Sequence, residues 1–244
     1  MNLTAKLLPA LAASLMFTAT PAMADAITLG SGDVGKSYTF NFNGFSNNMD
    51  IADLTSLATF TLTGTTSNSY TFNYSLTNTT SDPLTSRVSS FAFNTDPTIS
   101  SASSTGAFSY TTLNSSYPNG IGAIDVCFKD AQTGSCAGGG SGGLLTGATG
   151  TGSLTLNFSQ PLTSLTLSDF FVRYQSITGA GSVTSASGAG TLSSTTSGGT
   201  TSGGTTTSSG GTSVPEPGMV GLMGGALLLL AMRTRRRRVT LRAA

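Results

Sequence analysis

Large apolar side chains recur at alternate positions in short runs between residues 38 and 177. Tyr38, Phe40 and Phe42 alternate with Thr39, Asn41 and Asn43 across residues 38–45, and Tyr70, Phe72, Tyr74 and Leu76 do the same across 69–77. Phe60 and Leu62 mark residues 57–63, and Val88, Phe91 and Phe93 mark residues 87–93. Further runs follow at 107–113, at 121–128 with Ile124, Val126 and Phe128, at 153–158 with Leu154, Leu156 and Phe158, and at 165–177. A repeat of two, rich in Thr, Phe, Tyr, Val and Ile and bounded by Gly, Asn, Ser and Asp-Pro turns, predicts antiparallel β-strands. No long stretch has helical periodicity with caps. The expected fold is all-β: one antiparallel β-sandwich of jelly-roll type over residues 25–177, with aromatics on the inner faces and Thr, Ser and Asn outside.

The pattern stops at Thr178. Across 178–213 only Val183 and Leu192 are larger than threonine, and "TTSGGTTSGGTTTSSGG" nearly repeats itself. Such a composition buries too little apolar area to offset its ordering entropy, so 178–213 reads as a disordered Gly/Ser/Thr-rich linker. As a flexible coil it would span about 30–36 Å, and its hydroxyl density suits O-linked glycan.

Both ends carry addresses. Residues 1–24 hold Lys6, an apolar run from Leu7 to Phe17, Pro21 and the small triplet Ala22-Met23-Ala24, the anatomy of a secretory signal cut by signal peptidase between Ala24 and Asp25. Residues 214–238 begin with Val214, Pro215, Glu216 and Pro217 and continue through an apolar stretch, Gly218 to Met232. They end in Arg233, Arg235, Arg236, Arg237 and Arg238, before the tail 239–244. The prolines exclude continuous helix through the triplet, and the apolar stretch reaches only about 22 Å against a hydrocarbon core of about 30 Å. Arginines after such a helix stay on the cytoplasmic side, so an ordinary C-terminal anchor is one reading.

In order, the Val-Pro-Glu-Pro segment, short apolar helix and arginine cluster, behind an N-terminal signal, resemble the PEP-CTERM class of exported Gram-negative proteins. The resemblance covers the last 30 or so residues. It implies insertion in the inner membrane, cleavage near the triplet by exosortase, and release of the body or its transfer to the cell surface, with association to exopolysaccharide or biofilm. In the body, "ITLGSGDVGKSYTFNFNGF", "SRVSSFAFN", the two cysteines and "LTLSDFFVRYQSI" are similar to a subgroup named the cistern family. That likeness implies no biochemical activity.

Charge changes meaning once the signals are set aside. The chain has 11 basic and 10 acidic side chains, but residues 25–213 hold only Lys36, Arg87, Lys129 and Arg173 against nine aspartates, a net charge near −5. A nucleic-acid surface needs the opposite sign, so no nucleic-acid partner is expected. "GSGDVGKS", Gly30 to Ser37, fits the phosphate-loop pattern G-x-x-x-x-G-K-[ST]. A strand follows it where that loop needs a helix, so it reads as a Gly-rich turn, and no nucleotide is expected.

Cys127 and Cys136 are the only thiols, and the chain has no histidine. That combination excludes a His-containing zinc set and His-dependent nucleophiles, and in an oxidising compartment the two cysteines are expected to pair across a hairpin loop. Asp50 with Asp53 and Asp125 with Asp130 are candidate carboxylate pairs, though turn aspartates more often cap backbone. No catalytic residue, cofactor or metal ligand is assigned. Composition leaves a calcium site of loop aspartates and carbonyls open; the EF-hand pattern is absent.

Two functions follow. One is an exported, non-enzymatic cell-surface or extracellular-matrix protein sorted by exosortase. The alternative is a secreted carbohydrate-binding module delivered by the same route, with Tyr110, Tyr117 or Tyr174 as stacking platforms.

Overall fold

The computed structural model describes residues 25–132, 136 and 142–197. The expected leader 1–24, residues 198–213 of the expected linker, the expected sorting segment 214–238 and the tail 239–244 lie outside the described residues.

Among the described residues the chain is all-β, as its period of two predicts. In chain order the strands are β1 (Ile27–Leu29), β2 (Ser37–Ser46), β3 (Met49–Thr65), β4 (Ser69–Asn78), β5 (Thr85–Asp96) and β6 (Ser101–Ser104). They continue as β7 (Tyr110–Tyr117), β8 (Gly122–Lys129), β9 (Leu144–Leu145), β10 (Thr149–Asn157), β11 (Leu165–Thr178) and β12 (Ser185–Thr196). Every pairing is antiparallel. The β2–β3 hairpin turns on Asn47 and Asn48, with φ of 51° and 59°. Two successive left-handed residues give the turn whose twist matches the strands, and Asn tolerates them best after Gly.

The strands form one continuous path, β6-β10-β4-β3-β2-β12-β11-β5-β8-β7, with β1 on β11 and β9 on β5. The two end strands, β6 and β7, come back beside each other, so the sheet coils into a nearly closed barrel. The expected two-sheet jelly-roll sandwich is therefore corrected, and so is the linker. Residues 185–196, assigned to it by composition, form β12, paired to β11 on one side and β2 on the other. Without β12 the strands fall into two groups, β6-β10-β4-β3-β2 and β11-β5-β8-β7. Losing this one strand is what turns a barrel into a sandwich.

β12 needs no large side chains because its neighbours supply them. A Cβ at Gly188 would stand 2.8 Å from both Tyr174 and Val172, and one at Gly190 would stand 2.8 Å from Phe42 and 3.0 Å from Phe170. Aromatic rings from β2 and β11 thus lie across the glycine backbone. Small residues are what that space admits.

The alternating aromatics meet inside the barrel. Phe40 stacks on Phe170 at 4.0 Å and Phe91 on Phe128 at 4.9 Å, while Phe60 touches Phe91 and Phe93. All six are at most 2% exposed, and each such burial contributes about 1.5–3 kcal/mol. Outside, hydroxyl pairs run across strands: Ser37 with Thr61 at 2.7 Å, Thr39 with Thr59 at 2.9 Å, Thr71 with Thr155 at 3.1 Å and Thr77 with Thr149 at 2.8 Å. Over these rows the surface is polar and uncharged.

Candidate functional site

The phosphate-loop lookalike is built as a turn around Asp33. Its carboxylate accepts from the Gly30 N–H at 2.6 Å and pairs with Lys36 Nζ at 2.6 Å. The Gly35 N–H donates to the Leu62 carbonyl, and the chain runs straight into β2. The Lys36 ammonium and the Gly30 N–H hold the Asp33 carboxyl below the usual carboxylate range. A lysine engaged by its own turn, followed by a strand, presents no helix N-terminus to a phosphate.

Cys127 and Cys136 form a disulfide, as the spacing and the expected compartment predict. Both are fully buried, with Ala92, Tyr117 and Ile124, in a small cluster separate from the main core. Phe171 packs against it, with its ring 5.8 Å from that of Tyr117. Cys136 is tied further: its N–H donates to Ser115 Oγ at 3.2 Å, and its carbonyl accepts from Ser90 Oγ at 3.2 Å.

The buried cations of the described residues lie on β5, β8 and β11. Arg87, Lys129 and Arg173, three of the four body cations, are 9%, 4% and 7% exposed. Arg87 donates from Nε to Ser176 Oγ at 3.1 Å, from Nη2 to Gln175 Oε1 at 2.7 Å and from Nη1 to the Gly142 carbonyl. Its Nη1 stands 4.0 Å from Asp130 Oδ2. Arg173 donates to Ser185 Oγ at 2.8 Å, which ties β11 to the start of β12, and burial lowers its pKa. The two arginines act as fasteners, Arg87 between β5, β11 and the chain at Gly142, and Arg173 between β11 and β12. In the sequence the three cations enter only the net charge, yet each is flanked by core residues: Val88 after Arg87, Phe128 before Lys129, Val172 and Tyr174 around Arg173. A charge inside an alternating apolar run was the available signal.

Asp130 is the costly member of this group. Its Oδ2 is buried without a hydrogen-bond donor, and desolvation raises its pKa above the ordinary carboxylate range, against the pull of Arg87. The folded state therefore holds this proton more tightly than the unfolded chain. Its contribution is full below the unfolded value and is lost as pH rises through the raised folded value. Asp130→Asn, which cannot ionise, is expected to melt above the wild type at about pH 7 and to lose that advantage near pH 3. Thermal melts at both values check this; an equal difference at both would contradict it.

The other candidates separate. Asp50 and Asp53 are exposed near the start of β3, with Asp53 at φ 65°. Asp125 caps backbone, its Oδ2 accepting from the Thr95 N–H at 2.8 Å. Among the described residues no group of three or more metal-capable side chains comes together. Tyr117 and Tyr174, expected as exposed platforms, are 2% and 0% exposed, and burial pushes both phenols up; Tyr110 is 40% exposed. They fail as platforms because their rings sit where the alternation places core. Asp25 Oδ2 accepts from the Leu192 N–H of β12 at 2.7 Å, so the first residue after the expected leader is bonded into the last strand. Ala24 and the sorting residues from Val214 to Arg238 lie outside the described residues.

Comparisons with family models, curated proteins and solved structures find no match.

Proposed function

We propose that the protein is an exported, non-enzymatic component of the cell surface or extracellular matrix, processed by signal peptidase and sorted by exosortase through residues 214–238. The observation that carries this reading is the succession in the sequence of Val214-Pro215-Glu216-Pro217, a short apolar stretch and the arginines 233 and 235–238, following a β-domain. A formed disulfide sealed in the fold suits the oxidising compartment that such a route reaches. β12 ends at Thr196, which leaves residues 197–214 between the sheet and the triplet. The inner membrane is then a transient partner, and the delivered body associates with exopolysaccharide or biofilm.

Changing Pro215, Glu216 and Pro217 together to alanine is expected to leave export intact and the C-terminal tail attached. Fractionation followed by immunoblotting for a C-terminal epitope checks it; release of the triple variant at the wild-type level would overturn the sorting assignment.

A carbohydrate-binding module on the same route is the second reading. The uncharged hydroxyl rows over β2, β3, β4 and β10 favour a neutral glycan, with Tyr110 as the exposed ring. A polysaccharide pull-down that Tyr110→Ala abolishes would support it over a structural role.

A further inference from the structure

We propose that Asn119 is a site of spontaneous deamidation, and that the aspartate so formed fits its surroundings better than the asparagine it replaces. Asn119 sits at φ 62° in the turn between β7 and β8 and is followed by Gly120 at φ 83°. Its side chain hooks that turn onto the neighbouring strands. Oriented by its donors, its amide oxygen accepts from the Ser187 N–H at 2.9 Å, from Ser187 Oγ at 3.0 Å and from Arg173 Nη1 at 3.0 Å. Three donors, one of them a guanidinium, converge on one oxygen. That is a carboxylate's environment, occupied by an amide.

The chain supplies the chemistry. The Gly120 nitrogen gives up its proton to water or hydroxide and attacks Asn119 Cγ, the Cγ–Nδ2 bond breaks, and the side-chain nitrogen takes up a proton from water and leaves as ammonia, closing a succinimide ring. Water then adds at Cγ, the bond from Cγ to the Gly120 nitrogen breaks, and an aspartate remains; no oxidant or reductant is needed. Gly120 is exposed, has open space around its Cα and carries no Cβ of its own to hinder its nitrogen. Both steps place negative charge on the Cγ oxygen, where the Ser187 and Arg173 donors stand. Opening at Cγ yields the normal aspartyl backbone, whereas opening at the main-chain carbonyl would yield an isoaspartyl linkage.

The sequence contains its own control. Asn43-Gly44 is the other Asn-Gly pair, but it lies inside β2, with Gly44 registered against Gly188 and packed on Leu54. An extended, laddered backbone holds the glycine nitrogen away from the side chain.

The test is peptide mapping by mass spectrometry of the full-length folded protein after prolonged incubation at mildly alkaline pH, with a step that distinguishes aspartyl from isoaspartyl linkages. The expected result is a gain of one mass unit at residue 119 as aspartate, with residue 43 unchanged, and its suppression in Gly120→Ala. Asn119→Asp is expected to raise the melting midpoint by about 2–4 °C through the strengthened bond to Arg173. An unchanged residue 119, an isoaspartyl product, or a lower midpoint for Asn119→Asp would each overturn the proposal.

Discussion

Valine at positions 188 and 190 together is expected to lower the stability of the domain by about 2–6 kcal/mol, since each overpacked site costs about 1–3. Both side chains would enter space filled by Phe42, Phe170, Val172 and Tyr174. A domain of this size has about 5–15 kcal/mol in all, so the double variant stands near the threshold of folding. Thr191→Val, on an exposed position of the same strand, is the matched control and should change little. Urea unfolding of the three proteins reads this directly. A double variant as stable as the wild type would mean that residues 185–196 are a tether after all, and the barrel would revert to two sheets.

The second large effect belongs to the disulfide. Cys127→Ser with Cys136→Ser is expected to cost about 2.5–3 kcal/mol from the entropy of a loop with a sequence separation of 9. Two hydroxyls would also replace sulfur in the buried cluster of Ala92, Tyr117 and Ile124. The urea midpoint should fall, and the wild type in reductant should fall with it once unfolding exposes the bond. Destination should not change, because the proposed address lies in the tail. An unchanged midpoint would show that the loop is held without the bond.

What could be read in the sequence, and what could not, follows from where the side chains are large. Tyr38, Phe40 and Phe42 of β2, and Tyr70, Phe72 and Tyr74 of β4, announce both the strand and its buried face, because half of each strand must fill the barrel. The false phosphate loop was legible for a local reason: the residues that follow it alternate. β12 was not legible. Its glycines are dictated by Phe42, Phe170 and Tyr174 on other strands, and composition alone gives the same stretch a linker's signature. Burial of Tyr174 was implicit in the alternation of residues 165–177, since it follows Val172 by two residues, whereas Tyr117 lies between the expected runs 107–113 and 121–128 and its burial was not legible. The roles of the two arginines were not legible because their partners, Ser176 and Gln175 for Arg87 and Ser185 for Arg173, come from the bulges and crossings of the folded sheet.

The account rests on double processing of an exported β-domain, and the intact mass of the protein recovered from its native host tests it most directly. A species that begins at Asp25, ends near Pro217 and carries one disulfide is the predicted result, with any glycan as added mass. A species that still carries Arg233 and Arg235 to Arg238 would contradict it, and the protein would be a membrane-tethered one.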